Sequence, residues 1–304
     1  MHPDPHAKFS QFAKILDEAM AEQARRNGVY SGWTHAGSSR VFVRVPTALK
    51  QRSENGSDPS RNGSEPELDT TPIVLVHGFS SSRTLKPLIK ALGTRRPVFA
   101  PDLPGFGMSE TPIRPLDIPD LAEALRRWLL DNQLAPAILI GVSFGCQVAV
   151  DLAARYPAAV DRLVLISPTF DPEARTPGRL AMRWVRHARH ASPRLAPAVV
   201  HGVLDAGPSR SMRTLRRALD DPVEEKLVDI EAQTLVVRPE HDHLVPREWT
   251  AEVAELIPDA ELLELPKTGH TIGPKAAARL TALLVPFLVE REEDLVEREE
   301  EPAA

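Results

Sequence analysis

The stretch AILIGVSFG, residues 137–145, decides the fold, because a short apolar run leads directly into two glycines that flank a serine. Apolar runs of this length are typical of strands buried on both faces. Gly141, Ser143 and Gly145 match the pattern G-x-S-x-G, in which small neighbours permit a sharp strand-to-helix turn that exposes the serine hydroxyl. The helical run Cys146–Arg155 follows at once. This setting predicts a nucleophile at Ser143, and a tight turn with an incidental serine is the alternative.

Similar apolar runs recur on both sides of this stretch and alternate with helical patterns. The runs are IVLVHG, PVFAP, RLVLIS, QTLVVR and AELLEL, which begin at residues 73, 97, 162, 233 and 260. Helical periodicity covers residues 85–92, 116–132, 143–156, 247–257 and 275–288. A repeated βαβ pattern of this kind predicts an α/β fold with a mostly parallel β-sheet flanked by helices.

Composition limits the classes of function. The 304-residue chain has a net charge of -5 and a single cysteine, Cys146, so an internal disulfide is excluded. No Cys/His cluster has the spacing of metal ligands, and we expect neither a metal nor a cofactor. The N-terminus lacks the pattern of a signal peptide, and no uncharged apolar stretch approaches the roughly 18 residues of a membrane span. We therefore expect a cytoplasmic protein without a membrane span, and its oligomeric state stays open.

The charge is distributed unevenly along the chain. Ten arginines and one acid, Asp205, lie between Arg175 and Arg217, whereas Glu290–Glu301 holds eight acids and two arginines. Arginines without a recognition motif do not indicate nucleic-acid binding, and a small molecule is the expected partner.

These features resemble the α/β-hydrolase family over about Ile73–Leu288, in the serine hydrolase or esterase form with a helical cap. In that family the segment His77-Gly78-Phe79 corresponds to the oxyanion loop, so the resemblance implies that the backbone N–H groups of Phe79 and Phe144 hold the oxyanion. It also implies a substrate pocket that includes His77 and Gly78. Asp242 and His270 each follow a predicted strand, and the order Ser, Asp, His is the family's order for a catalytic triad.

Three other residues qualify this assignment. Asp171, after RLVLIS, is the substitute acid in some family members. Asp102, in the segment DLPGFGMS, corresponds to a residue that braces a loop in the family. Pro239 stands where the family usually has glycine, three residues before Asp242, and could alter the path of the acid loop.

The resemblance also implies the division of the chain. An N-terminal amphipathic helix (Phe9–Met20) and lead-in would occupy residues 1–38, and the core residues 39–167 and 231–289, with a flexible loop at 46–71. Residues 168–230, after the sixth core strand, would form a helical cap, and residues 290–304 an acidic tail. Leu180, Trp184 and Ala188 recur at helical spacing, which predicts an apolar ceiling over the pocket, to which Trp184 would contribute.

A serine at this turn argues against the epoxide hydrolases and dehalogenases of related folds, because their chemistry needs a carboxylate nucleophile. The expected function is hydrolysis of a carboxylic ester or thioester with a small to medium apolar acyl group. A carbon–carbon bond hydrolase of the ring-cleavage type, an acyltransferase and a non-catalytic binding module on the same fold remain alternatives. A basic cap could also attract an anionic substrate, although a solvated arginine face is the simpler interpretation.

Overall fold

The computed structural model describes residues 28–46, 71–94, 96–190 and 208–288. The predicted helix Phe9–Met20, the loop between residues 47 and 70, and the acidic tail lie outside these ranges. The strands are β1 (Val29–Ala36), β2 (Ser39–Pro46), β3 (Ile73–Val76), β4 (Val98–Pro101), β5 (Ala137–Val142), β6 (Val160–Ile166), β7 (Gln233–His241) and β8 (Ala260–Gly269). The α-helices are α1 (Lys86–Leu92), α2 (Ile118–Asp131), α3 (Phe144–Arg155), α4 (Pro177–His190), α5 (Pro208–Leu219), α6 (Val223–Leu227), α7 (Arg247–Leu256) and α8 (Pro274–Leu288).

The eight strands form one sheet in the order β1-β2-β4-β3-β5-β6-β7-β8. Strands β3 to β8 pair in parallel, whereas β1 and β2 are antiparallel. The predicted α/β fold with a mostly parallel sheet is thereby confirmed. Strand β1 was not predicted and lies inside the segment interpreted as a lead-in. Its sequence, VYSGWTHA, mixes apolar and polar residues without a regular alternation, and eight residue pairs with β2 hold it in the sheet.

Helices cover both faces of the sheet. Side chains of the central strands point alternately to the two faces, and the helices bury the apolar side chains on each face. Val74 and Val76 of β3 belong to one apolar cluster, together with buried residues of α2, α3 and α7. Ile73 and Leu75 belong to the other cluster, with buried residues of α1 and α8. Burial on both faces explains why these strands read as continuous apolar runs.

The connection between β6 and β7 is helical where it is described, through a 3₁₀ helix (Pro172–Arg175), α4, α5 and α6. Its last part is attached to α3, the helix that follows Ser143. Lys226 donates to Asp151 with an Nζ···Oδ2 distance of 2.7 Å. Gln147 donates to the carbonyl oxygen of Ala218 at 2.8 Å. The end of the insertion is therefore fixed to the core by polar contacts.

Candidate active site

Ser143 lies in the turn between β5 and α3, with φ 55° and ψ −121°. Positive φ is strained for a residue with a side chain, and such strain occurs mainly where the surrounding structure imposes it. Here the Ser143 N–H donates to the carbonyl oxygen of Ile166 at 2.9 Å, which ties the turn to β6. The turn therefore presents the serine at the carboxyl end of β5, as the sequence pattern predicts.

The two glycines of the turn allow close approach of backbone segments. A Cβ on Gly141 would lie 2.8 Å from the Cα of Cys146. A Cβ on Gly145 would overlap the carbonyl oxygen of Val76 on the neighbouring strand. Real Cβ atoms do not approach backbone this closely, so α3 can pack against β3 only with glycine at position 145.

We expect Gly145→Ala to lower the free energy of unfolding by about 3 kcal/mol, the upper part of the usual cost of overpacking. Backbone atoms of β3 would have to move, because no flexible side chain can yield. Gly178→Ala is the matched control, since a Cβ there meets nothing within 4 Å. Chemical denaturation of both variants measures the difference, and equal stabilities would contradict the packing argument.

The structure brings Ser143, Asp242 and His270 together. The Nε2 atom of His270 lies 3.1 Å from the Ser143 Oγ, and the Nδ1 atom lies 2.9 Å from Oδ2 of Asp242. These distances are within hydrogen-bond range and connect serine, imidazole and carboxylate in one chain. The arrangement can pass a proton from the hydroxyl to Nε2 while the carboxylate holds the Nδ1–H tautomer.

Asp242 is held in place by the backbone of its own loop. Its Oδ1 accepts hydrogen bonds from the N–H groups of Leu244 at 2.8 Å and Val245 at 3.0 Å, which leaves Oδ2 for His270. Burial by itself raises the pKa of Asp242, but the charge and hydrogen bond of His270 and the loop N–H bonds outweigh it and lower the pKa to about 2. The carboxylate is therefore ionised at neutral pH. Pro239 lies in β7, where the pairing with β8 is irregular between Pro239 and His241, and its carbonyl accepts the Asp242 N–H at 3.0 Å.

The two other carboxylates considered from sequence lie elsewhere. Asp171, the reserve acid, pairs with Arg183 of α4. Asp102 is fully buried, and its Oδ1 accepts from Arg44 at 2.9 Å and from the Ser82 N–H at 2.7 Å. Asp102 therefore braces the loop after β4, and neither residue takes the place of Asp242.

Gly78 and Phe79 lie beside Ser143. A Cβ on Gly78 would lie 3.4 Å from Ser143 Cβ and 3.9 Å from its Oγ. Phe144 is the first residue of α3, and the first N–H groups of a helix have no partner within it. The rings of Phe79 and Phe144 pack edge to face at 4.8 Å, and only Phe79 is partly exposed. Phe79 can thus contribute to a pocket wall, whereas the Phe144 side chain belongs to the core.

The assignment of His77 to the substrate pocket is wrong, because its side chain is fully buried. Its Nδ1–H donates to the carbonyl oxygen of Gly78 at 2.7 Å, and its Nε2 accepts the Leu103 N–H at 2.9 Å. The His77 ring thus links the loop after β3 to the loop after β4 through hydrogen bonds and does not line the site. Burial lowers the pKa of His77, although Asp102 opposes the shift.

The lowered pKa of His77 predicts a dependence of stability on pH. Below about pH 6.5 the unfolded chain binds a proton at this histidine and the folded chain does not, so stability falls as the pH falls. We expect a loss of up to about 1.4 kcal/mol per pH unit from this group. Unfolding measured between pH 7 and 5 should show a shallower slope in His77→Gln. The exposed His241 supplies a control replacement, and an unchanged slope in His77→Gln would contradict this assignment.

The insertion also contacts the site, through a residue that the sequence analysis missed. His187 of α4 packs against His270, with ring centroids 5.5 Å apart. The chain has ten histidines, and nothing in the sequence distinguishes His187 from the others. Leu180 is buried, as predicted for an apolar underside of this helix. The side chains of Trp184 and Ala188 lie outside the described residues.

Features of two other classes of protein are absent from the described ranges. No group of three or more His, Cys, Asp or Glu side chains in these ranges is arranged to hold a metal ion. None of the helices in these ranges is both long and apolar enough to cross a bilayer.

Comparison with curated proteins finds several relatives. The chain is 28% identical over 240 residues to a poly(3-hydroxyalkanoate) depolymerase of Ectopseudomonas oleovorans, covering 72% of this chain and 84% of that protein. It is 36% identical over 108 residues to a 1-acylglycerol-3-phosphate O-acyltransferase of Rattus norvegicus, covering 34% of this chain and 31% of the relative. The chain thus aligns with only about a third of the length of this second relative.

Solved structures and a family model agree on the fold. The enol-lactonase from Burkholderia xenovorans superposes with a TM-score of 0.64 at 22% identity, covering 85% of this chain and 100% of that one. A thermophilic esterase from Thermogutta terrifontis gives 0.64 at 20% identity, covering 85% and 97%. The model described as "Alpha/beta hydrolase family" matches residues 73–282. Because the matched segment runs from β3 into α8 and contains every parallel strand of the sheet, the chain belongs to the alpha/beta hydrolase family.

Proposed function

We propose that this protein is a serine hydrolase that cleaves a carboxylic ester or thioester through an acyl-enzyme on Ser143. The observation that carries the proposal is the hydrogen-bonded chain from Ser143 through His270 to Asp242, with distances of 3.1 and 2.9 Å. A buried carboxylate with a pKa of about 2 suits the role, since it stays charged while the imidazole gains and loses a proton.

In the acylation step the Ser143 Oγ forms a bond to the carbonyl carbon while its proton moves to Nε2 of His270. The carbonyl oxygen becomes an oxyanion, which the N–H groups of Phe79 and Phe144 would stabilise by about 3 kcal/mol per donor. His270 then gives its proton to the leaving alcohol or thiol as the carbon–oxygen or carbon–sulfur bond breaks. In deacylation a water oxygen bonds to the acyl carbon while a proton moves from water to His270, and the bond to the Ser143 Oγ then breaks as His270 returns that proton to the serine and the carboxylic acid leaves.

The proposed substrate carries a small to medium apolar acyl group, bound under the insertion, which would act as a cap. Support comes from two apolar side chains, the partly exposed Phe79 beside Ser143 and the buried Leu180 on α4 of the insertion. The relatives fit acyl chemistry by their names, which include a depolymerase of poly(3-hydroxyalkanoate) and an N-acylphosphatidylethanolamine lipase. The exposed arginines of α4 and α5 would favour an anionic substrate at low salt.

Acyl transfer is the second candidate, favoured by the relative named a 1-acylglycerol-3-phosphate O-acyltransferase. The two reactions share the acyl-enzyme and differ only in the acceptor, which is water or an alcohol. The same residues would activate either acceptor, so geometry around the triad does not separate them.

A single experiment tests the acyl-enzyme and sorts the two reactions. The protein is mixed with p-nitrophenyl butyrate, and the reaction is quenched in acid. After digestion, the mass of the peptide that contains Ser143 is measured by mass spectrometry. We expect a butyryl adduct on that peptide. Hydrolysis predicts butyrate as the main product even with added glycerol, whereas transfer predicts a glycerol ester. Absence of any adduct with esters and thioesters of several chain lengths would refute the proposed function.

A further inference from the structure

Helix α4 of the insertion touches the catalytic base through one ring contact. The imidazole of His187 lies 5.5 Å from that of His270, centroid to centroid, with the two planes at 79°. Near-perpendicular packing at this distance is favourable for aromatic rings. The position of α4 is therefore coupled directly to the ring that has to face Ser143.

One helical turn before His187, α4 is fastened to the core by an ion pair. Arg183 and His187 are four residues apart, which places both on the same face of the helix. The guanidinium pairs with both carboxylate oxygens of Asp171, through Nη1 to Oδ2 and through Nη2 to Oδ1 at 3.1 Å. Two parallel bonds between planar groups fix orientation as well as distance.

Asp171 is itself held firmly. Its side chain is only 6% exposed, and Oδ1 accepts the N–H of Ala174 at 3.0 Å, which caps the 3₁₀ helix Pro172–Arg175. This short helix begins six residues after the end of β6. A path of contacts thus runs from the loop after β6 through Asp171 and Arg183 to α4, and from His187 to His270.

Apolar packing holds α4 only weakly among the side chains that are described. Leu180 is the buried one, whereas Met182 and Val185 are 70% and 55% exposed. Beneath Arg183 there is a small cavity between α4, the loop after β6 and the loop that carries Asp242, and Leu244 and Val245 form its far wall. With Leu180 the buried side chain among those described, the Asp171–Arg183 ion pair is a main link between the helix and the core.

We infer that the Asp171–Arg183 ion pair is a positioning device for the active site, which holds α4 so that His187 packs on His270 and keeps its imidazole oriented. The inference rests on the proposed function. Asp171, which would be an acid of the triad in another arrangement, here acts on the triad through the insertion. Asp171, Arg183 and His187 are positioning residues and take no part in the covalent steps.

The first test breaks the ion pair at either end. We expect Asp171→Asn and Arg183→Gln to lower kcat by about tenfold to a hundredfold, since a misplacement of about 1 Å near a reacting group has effects of this size. KM is measured alongside kcat, because a shift of α4 would also move Leu180 at the proposed acyl pocket. Arg213→Gln is the matched control: it removes an exposed arginine from α5, another helix of the insertion, and its kcat should equal that of the wild type.

The second test uses the ring contact and does not depend on the stability of the ion-pair variants. His187→Ala should lower kcat by a factor similar to that of Asp171→Asn, whereas His187→Phe, which restores a ring, should recover most of the rate. A merely structural residue would not show rescue in kcat with unchanged circular dichroism. Wild-type kcat in His187→Ala would overturn the inference, as would equal loss in the alanine and phenylalanine variants.

Failure of this inference differs from failure of the proposed function. If the wild type forms the butyryl adduct and His187→Ala forms it at the same rate, the positioning role is wrong and the hydrolase assignment stands. If the wild type forms no adduct, the proposed function itself fails.

Discussion

Replacement of Ser143 by alanine is expected to reduce kcat for ester hydrolysis by about a millionfold, the usual loss when the nucleophile of a triad is removed. The variant should also lose covalent labelling by a fluorophosphonate probe, in which the serine oxygen displaces fluoride from phosphorus. The reason is local, because the turn presents one hydroxyl to Nε2 of His270 at 3.1 Å. Gel fluorescence and initial-rate kinetics measure the two effects.

The fold should survive this change, because the Ser143 hydroxyl bonds to His270 and the strand contact uses only the backbone N–H. An unchanged thermal transition is the control for folding. Ser109→Ala is less suitable as a comparison, since that hydroxyl holds the loop after β4. Labelling that persists in Ser143→Ala would place the nucleophile elsewhere and remove the basis of the proposed mechanism.

Asp242→Asn is expected to reduce kcat by about ten thousandfold while substrate binding changes little. An amide at this position can donate to Nδ1 and so favours the wrong tautomer of His270, with the proton on the nitrogen that should accept from Ser143. Loss of the charge also removes the stabilisation of the imidazolium that forms during attack. Steady-state kinetics with one ester, reported as kcat and KM separately, measure the effect.

The choice of acid is tested by comparing carboxylates. Asp242→Asn should cost far more than Asp171→Asn, because Asp242 contacts the imidazole and Asp171 contacts Arg183. Asp220→Asn replaces an exposed acid and should leave the rate unchanged. A larger loss in Asp171→Asn than in Asp242→Asn would mean that the reserve acid is the true one.

The parallel core and the grouping of the three site residues were predictable from sequence, and one physical reason covers both. Strands buried on both faces are apolar, so β3 and β5 stand out as unbroken runs, as does β6 from Leu163 onward. The carboxyl ends of parallel strands lie at one edge of a sheet, so Ser143, Asp242 and His270, which follow β5, β7 and β8, could be placed together without coordinates.

Other features carried no readable pattern. Strand β1 is held by pairing with β2, so its own composition need not favour a strand. His77 follows an apolar run, and from sequence its ring could face a ligand. In the structure its Nε2 accepts a hydrogen bond from the N–H of Leu103, a residue 26 positions away whose placement the sequence does not specify. The contact of His187 with His270 depends on how α4 docks, which helical periodicity does not specify.

The order of strands along the chain also determines when the site can form during synthesis. Ser143 emerges from the ribosome 127 residues before His270. The turn around the serine needs only β5 and β6, whereas the base arrives with β8, the outermost strand of the sheet. A serine hydroxyl without its base is a weak nucleophile. The Ser143 hydroxyl is therefore without its proposed base until the chain has been made through β8, and the proposed activity begins only after that strand has docked at the edge of the sheet.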